Sequence, residues 1–176
     1  TLLVQNINSQ GALLWGPGGK VVSNTTTSQI SQYEFITDNL GGLYIKWSTI
    51  VNGVNDRRYQ RVNSDGEYLW GENGLVYSFS GRMISDNNGD LYIVSNSVIS
   101  SSDLDIDVYK IMRDGSIGWD GNATKIVEKP GFQSLNGIIV DQEGRIVILW
   151  NDQTDRMNTD IYAQRISSEG ELLWPV

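Results

Sequence analysis

The chain has 176 residues, in the range of one domain, and 39% of them are hydrophobic, which is enough for a packed core. Its formal net charge of −8 argues against a nucleic-acid partner, because phosphate binding needs clustered Lys and Arg. It has no cysteine and no histidine, which excludes disulfides, thiolate zinc sites and Ser-His-Asp or Cys-His nucleophiles. No stretch is long and apolar enough to predict membrane insertion.

A hairpin that ends in tryptophan recurs four times along the chain. In each copy a turn glycine is followed four residues later by tryptophan, in the pairs Gly11 and Trp15, Gly66 and Trp70, Gly115 and Trp119, and Gly170 and Trp174. Glycine supplies the positive φ that a tight hairpin needs. A tryptophan at one fixed place in every repeat is expected to be buried by packing between neighbouring repeats.

A second motif lies between these hairpins and has the form strand, Asp-x-x-Gly turn, strand. It covers residues 36–45, 84–93 and 139–148. The aspartate is expected to accept backbone N–H bonds across the turn while the glycine takes the left-handed conformation. Nineteen glycines against three prolines, with eight Tyr and six Trp, also favour strands joined by tight turns.

The two motifs together predict the fold class. Each repeat carries four short strands over about 50 residues, close to the four-stranded blade of known propellers. We predict an all-β, β-propeller-like repeat of four-stranded antiparallel blades, about three and a half in number, with a β-sandwich or an open β-solenoid as alternatives. The prediction treats 1–176 as a single repeat domain, with repeat units at roughly 1–50, 51–99, 100–152 and a partial 153–176.

The last copy resembles a known class of repeats. Residues 160–165 read Asp-Ile-Tyr-Ala-Gln-Arg, and they follow Trp-Asn-Asp at 150–152 and precede Gly170 and a Leu-Trp pair. This pattern resembles the "W-x-D, D-I-Y-A-Q-R, G, L-W" repeats of large secreted or surface-exposed bacterial β-propeller proteins, and the resemblance covers nearly the whole chain. It implies a propeller architecture and a secreted or cell-surface location in a bacterium.

The third repeat departs from that pattern. Ser95 stands where Trp47 and Trp150 stand in the other repeats. The hairpin at 109–119 is one residue shorter than the others, which predicts the loss of a turn residue. In that alignment Ile111 replaces the arginine that the second and fourth copies have at Arg61 and Arg165.

The segments between strands are the candidate binding regions. We predict variable loops at 48–57, 96–107 and 151–160, because loops on a regular scaffold are where repeat proteins place recognition. Trp47 and Trp150 are the candidates for an exposed binding face, although a core role is the more conservative interpretation. The predicted ligand-binding residues are Trp47, Trp150, Asp152 and Arg156.

One segment has an aspartate at every second position, which is a possible calcium site. Asp103, Asp105 and Asp107 could converge on Ca²⁺, which prefers oxygen ligands. The alternative is a solvated edge strand in which every second residue faces water. No other cofactor is predicted.

We therefore predict a non-catalytic extracellular binding or scaffold module whose partner is a glycan or a protein. The alternatives are a carboxylate-dependent glycoside hydrolase, or a propeller domain attached to a secreted enzyme. A hydrolase needs a pair of carboxylates, and the sequence singles out no such pair. The chain starts and ends on the same type of hairpin, so we expect it to be part of a longer protein or half of a closed propeller. Either case predicts self-association through propeller edges.

Overall fold

A computed structural model describes residues 1–23, 30–51, 53–154 and 158–175, and in these ranges the chain is all-β. Thirteen strands form four antiparallel sheets, and a single 3-10 turn covers Trp119–Gly121. In the same ranges no helix has the length and apolar character that crossing a membrane requires. The all-β prediction is confirmed. The chain divides into two compact units, Thr1–Ser78 (unit 1) and Phe79–Val176 (unit 2).

Unit 1 contains a two-stranded and a four-stranded sheet. The first pairs β1 (Leu2–Val4) with β2 (Lys20–Ser23). The second is a meander in the order β3 (Ile30–Thr37), β4 (Leu43–Val51), β5 (Val54–Val62) and β6 (Leu75–Val76). The core of unit 1 contains a cluster to which both sheets contribute: Trp15, Val22, Ile45, Trp47 and Val62.

Unit 2 repeats the meander. The strands β7 (Arg82–Ser85), β8 (Leu91–Ser100), β9 (Asp103–Ile111) and β10 (Thr124–Val127) form one sheet in chain order. The strands β11 (Gln133–Val140), β12 (Ile146–Asp152) and β13 (Asp160–Ile166) form a three-stranded sheet. The core of this unit joins both sheets through β-branched and aromatic side chains, including Val108, Ile126, Ile148 and Trp150.

The Asp-x-x-Gly turns form as predicted. The Asp86 carboxylate accepts the backbone N–H groups of Asn88 and Asp90, each at 2.9 Å, and Gly89 has a φ of +79°. Asp38 and Asp141 accept the equivalent pairs of N–H groups at 2.7–3.0 Å. The turn is therefore closed by a local side-chain bond that any chain with this spacing can make.

A glutamine closes the tryptophan hairpin from the other side. The Gln60 Oε1 accepts the backbone N–H groups of Arg61 and Trp70 at 2.9 and 3.0 Å, and its Nε2 donates to the Gly71 carbonyl. Gln5 makes the equivalent bonds in the first copy. Gln164 accepts the same two N–H groups in the last copy, but its Nε2 donates to the carbonyl of Trp174 itself. One amide side chain thus satisfies three backbone groups, which fixes where the chain leaves the hairpin.

The predicted alignment of the third hairpin is wrong by one residue. Lys110 lies opposite Tyr92, as Arg61 lies opposite Tyr44, and it pairs with Asp90 at 2.9 Å. The hairpin turn keeps its length, because Gly115 donates to the Met112 carbonyl in the same pattern as the other copies. Lys110, and not Ile111, therefore takes the arginine position, and Tyr109 takes the place of the glutamine.

Two of the three predicted loops are strands. Residues 48–57 and 96–107 lie almost entirely within the long hairpins β4–β5 and β8–β9, whose described turn residues include Gly53 and Ser101. Polar and apolar residues alternate from 103 to 107, which is a strand pattern, whereas residues 48–57 show no such alternation. The predicted boundaries of the repeat units at residues 50 and 99 therefore fall inside hairpins, and the sheets begin and end at other residues than the predicted units.

Candidate functional site

A groove of about 630 Å³ lies in unit 1, and we call it the Trp47 groove. It lies between the β1–β2 sheet and the four-stranded sheet, and the segment after Trp70 closes it. Its wall contains apolar, hydroxyl, amide and charged side chains: Val21, Val22, Ser23, Trp47, Thr49, Asp56, Arg58, Tyr68, Glu72 and Asn73. Such a mixture of an aromatic ring with several hydrogen-bonding groups is typical of a small-ligand site.

Trp47 forms the buried part of this wall. Only 1% of its surface is exposed, and it packs in the core cluster with Trp15 and Ile45. Its indole N–H has no hydrogen-bond acceptor among the residues that the structure describes. A buried donor without an acceptor costs about 1–3 kcal/mol. An acceptor in the groove would remove that cost.

Arg58 is held in place beside Trp47. The two residues lie directly opposite each other on β4 and β5. The Arg58 Nε and NH2 atoms each lie 2.8 Å from a carboxylate oxygen of Asp56, and NH1 donates to the Asn73 carbonyl at 3.0 Å. The guanidinium is thus neutralised and oriented, so the groove has a fixed polar wall and no free positive charge at Arg58.

Tyr68 closes the groove on the side of β2. Its hydroxyl donates to the Val21 carbonyl at 2.7 Å, which ties the second tryptophan hairpin to the β1–β2 sheet. Burial raises the pKa of Tyr68, so the phenol stays protonated and remains a donor at neutral pH. The exposed carboxylate of Glu72 also borders the groove. Together with Asp56 and Arg58 it gives the lining a slight negative balance.

The predicted ligand-binding residues fall in different units, Trp47 in unit 1 and Trp150 and Asp152 in unit 2. Trp47 lines the groove, but neither it nor Trp150 offers an exposed ring, so both have the core role and the expectation of an exposed face is wrong. Inward-facing strand positions put both indoles into the core. Asp152 is buried in unit 2, and Arg156 lies outside the described residues.

Trp150 and Asp152 have partners of their own in unit 2. The Tyr162 ring stacks on Trp150 at 5.9 Å between centroids, and Lys129 lies over the Tyr162 ring and pairs with Asp152. Burial favours the neutral form of Asp152, but the bonds from Lys129 and Thr154 outweigh it and lower the pKa of this carboxyl. The indole N–H of Trp150, like that of Trp47, has no acceptor in the described ranges.

The three alternating aspartates do not form a calcium site. Asp103, Asp105 and Asp107 lie on β9, an interior strand between β8 and β10. Asp103 accepts the backbone N–H of Gly131, and Asp107 accepts the hydroxyl of Ser97. In the part of the chain that the structure describes, no three acidic side chains are grouped to hold a metal. The edge-strand alternative is also wrong, because β10 pairs with β9 and Asp105 is buried.

The four repeat tryptophans differ in burial. Trp15 donates its indole N–H to the Ser64 carbonyl at 2.9 Å, and Trp119 donates to the Ser168 carbonyl at 3.0 Å. In both cases the ring packs against the turn of the next tryptophan hairpin, where Gly66 or Gly170 leaves room for it. Trp174 is 39% exposed, so the expectation that all four are buried is wrong.

Sequence reasoning missed most of the groove. Asp56, Arg58, Tyr68, Glu72 and Asn73 were not predicted as site residues. Asp56 and Arg58 fall in a segment predicted as a loop, and they share a face with Trp47 only because the segment is a strand in register with β4. Residues 55–58 are a run of polar residues without an apolar alternation, so the sequence carries no clear strand signal there.

Comparison of the chain with protein-family models, with curated proteins and with solved structures finds no match. The case for a function therefore rests on the geometry of the Trp47 groove.

Proposed function

We propose that the chain is a β-propeller-type repeat module that binds a neutral glycan in the Trp47 groove and catalyses no reaction. The observation that carries this proposal is that Trp47 lines the groove and that its buried indole N–H lacks an acceptor among the described residues. A hydroxyl, ring or acetamido oxygen of a sugar supplies that acceptor.

The chemistry of the groove favours sugar over other ligand classes. Ser23, Thr49 and Tyr68 supply hydroxyl groups, while Asp56 and Glu72 supply acceptors for ligand hydroxyls. An anionic ligand is disfavoured, because Arg58 is already paired and the chain carries a net charge of −8. A polyhydroxylated neutral ligand matches this set of donors and acceptors.

The propeller part of the proposal rests on repetition of the sheets. Four-stranded meanders occur in both units, each built from an Asp-x-x-Gly hairpin followed by a long hairpin and a short fourth strand. This unit is typical of propeller blades. The sequence resemblance also supports a secreted or cell-surface location in a bacterium, and a glycan partner is consistent with that location.

Binding is tested with a glycan array, followed by calorimetric titration of the best ligand into wild type, Trp47→Phe and Trp150→Phe. Phenylalanine keeps an aromatic ring but removes the indole N–H. We expect Trp47→Phe to weaken binding about tenfold, the equivalent of about 1.4 kcal/mol for a lost hydrogen bond. Trp150→Phe is the matched control, because it removes an equally buried N–H at the equivalent strand position in unit 2, and it should leave the affinity unchanged.

Two results would contradict the proposal. Equal loss of affinity in both variants would mean that the tryptophans act through stability, which circular dichroism and thermal melting of each variant would reveal. If the chain hydrolyses an array ligand, and this activity is lost when one carboxylate is changed, as in Asp56→Asn, the chain is a glycosidase.

A further inference from the structure

An Asn-Gly step at residues 73–74 borders the Trp47 groove, where Asn73 is part of the lining. At such a step the backbone nitrogen of the glycine can reach the side-chain amide carbon of the asparagine, because glycine has no side chain to obstruct the approach. The Asn73 side chain is exposed and makes no hydrogen bond to any residue that the structure describes. Asn73 therefore has the neighbour and the freedom that cyclisation to a succinimide needs.

Two Asn-Gly steps occupy the last two positions of a four-residue turn. At Asn73 the turn is closed by a backbone bond of 3.4 Å from Gly74 to Gly71, and Gly71 has no side chain that could add another bond. At Asn88 the closing backbone bond is 3.2 Å, and the Asp86 carboxylate accepts two further backbone N–H groups. Cyclisation needs the turn to open locally, and this opening breaks fewer hydrogen bonds at Asn73 than at Asn88.

Arg58 contacts the carbonyl at which a succinimide would be hydrolysed. Its NH1 donates to the main-chain carbonyl oxygen of Asn73 at 3.0 Å, and the bonds to Asp56 hold the guanidinium in place. A donor at this oxygen stabilises the negative charge that develops on it when water adds to the carbonyl carbon. A carboxylate formed at the same position would gain a charge-assisted hydrogen bond from Arg58.

A third Asn-Gly step has the arginine without the open turn. The main-chain carbonyl of Asn136 accepts NH1 of Arg82 at 2.7 Å. Asn136 lies within β11, its two neighbours pair with β12, and its side-chain amide donates to Asn151 Oδ1 at 3.3 Å. These contacts hold the side chain and the Gly137 backbone apart. Asn52, which precedes the remaining Asn-Gly glycine, lies outside the described residues.

We propose that Asn73 is a site of spontaneous deamidation in the folded protein, and that Arg58 directs the product to isoaspartate. The reaction is independent of glycan binding. In the first step the Gly74 nitrogen loses its proton to solvent and attacks Cγ of Asn73. The N–Cγ bond forms, the Cγ–Nδ2 bond breaks, and Nδ2 takes a proton and leaves as ammonia.

Water opens the succinimide in the second step. Addition at the main-chain carbonyl carbon of residue 73 breaks the bond from this carbon to the Gly74 nitrogen. The chain then continues through Cβ and Cγ, and the former main-chain carbonyl becomes a carboxylate beside Arg58. Addition at Cγ would instead give aspartate. In either case the net reaction consumes one water and releases one ammonia.

The product changes the groove. A carboxylate replaces the Asn73 amide, next to the carboxylate of Glu72. Isoaspartate also adds a carbon to the backbone directly before Gly74, at the point where a Cβ on Gly74 would lie 2.4 Å from the Tyr59 carbonyl oxygen. We therefore expect the modification to displace β6 from β5.

Peptide mapping of the aged protein tests the site. The full chain is incubated at slightly alkaline pH and digested with trypsin, which places Asn73, Asn88 and Asn136 in different peptides. Mass spectrometry detects the exchange of amide for acid, and electron-transfer fragmentation separates isoaspartate from aspartate. We expect Asn73 to react at least about tenfold faster than Asn88 and Asn136, because its turn opens more readily. Asn88 is the matched control, since it has the same place in its turn.

The ratio of the two products tests the role of Arg58. A peptide with the sequence of residues 71–80 contains Asn73 and no arginine, so it gives the ratio without a donor at the carbonyl. We expect a larger share of isoaspartate in the folded chain than in this peptide. Arg58→Gln removes the NH1 donor and should return the share to that of the peptide, whereas a change in the stability of the turn would alter only the rate.

Two results would overturn the proposal. Deamidation at Asn73 no faster than at Asn88 would mean that the turn does not expose this step. The same product ratio in wild type and in the peptide would mean that Arg58 does not direct the hydrolysis. If Arg58→Gln does not fold, the comparison of wild type with the peptide still decides the second point.

Discussion

At the residue scale, the same arginine–aspartate pair occurs in two environments. In unit 1 the Arg61 Nε and NH2 atoms lie 3.0 and 2.8 Å from one oxygen of Asp38, and both side chains are less than 10% exposed. In unit 2 the equivalent Arg165 and Asp141 are 22% and 18% exposed. Because the two pairs have the same chemistry and differ in burial, comparing them measures how burial changes the contribution of the pair to stability.

We predict that Arg61→Met lowers the free energy of unfolding by about 3 kcal/mol, because it leaves the buried Asp38 without its cation. The matched change Arg165→Met should cost about 1 kcal/mol or less, since water screens Asp141. Urea denaturation of the two variants measures the difference. Equal losses would mean that burial does not set the strength of this pair.

Asp105 gives a prediction about pH. Burial, and then the nearby Asp103, raise the pKa of the Asp105 carboxyl, and one of its oxygens has no partner among the described residues. An acid with a raised pKa binds its proton more tightly in the folded state. Its contribution to stability is therefore present at low pH and is lost as the pH rises through the folded-state pKa.

We expect Asp105→Asn to raise the free energy of unfolding by about 1 kcal/mol at neutral pH, with a difference that shrinks towards pH 4. Asp65→Asn, an equal change of charge on an exposed turn, should leave the pH dependence unchanged. Thermal melts of the three proteins across this pH range test the prediction. A variant less stable than wild type at neutral pH would mean that the Asp105 carboxylate has a stabilising partner.

At the element scale, two glycines follow Trp70, and a substitution at one would cause only backbone strain while a substitution at the other would also cause a steric clash. Both have positive φ, +73° for Gly71 and +66° for Gly74. A Cβ on Gly71 would meet nothing within 4 Å, whereas a Cβ on Gly74 would lie 2.4 Å from the Tyr59 carbonyl oxygen. Gly74 therefore sets how closely β6 approaches β5.

We predict that Gly71→Ala costs about 1 kcal/mol, the strain of an alanine in the left-handed region. Gly74→Ala should cost roughly 3 kcal/mol or more, because β6 must also move away from β5. Because Asn73 lines the groove and its carbonyl binds Arg58, only the second change should also weaken ligand binding. Similar stability losses in urea would contradict this account of the β5–β6 approach.

The sequence predicted those elements whose contacts are local. The bonds that Asp38, Asp86 and Asp141 accept span two and four residues, so the spacing alone specifies them. The alignment of the third hairpin failed because Tyr109 was matched to Tyr59, whereas counting back from the turn glycine, like the pairing with β8, matches Lys110 to Arg61. The groove was not predictable, because Val21, Trp47 and Asn73 meet only once two sheets have packed.

At the scale of the whole molecule, charge and repetition are the features that support the proposed binding function. The net charge of −8 opposes anionic ligands, and the Trp47 groove contains a fixed ion pair, hydroxyl groups and a buried donor. The same Asp-x-x-Gly and glutamine bonds recur in unit 1 and in unit 2, so one scaffold is used several times. The Trp47 groove in unit 1 adds to this scaffold a lining of hydroxyl, amide and charged side chains around Trp47.

The most direct test of this account is a ¹H–¹⁵N spectrum of the indole groups during titration with a neutral glycan that binds. The six tryptophans supply six N–H signals, which single Trp→Phe variants assign. We predict that the Trp47 signal moves downfield and saturates with the ligand, because its N–H gains an acceptor, while the Trp150 signal stays in place. A glycan that binds and leaves the Trp47 signal unchanged would contradict the account.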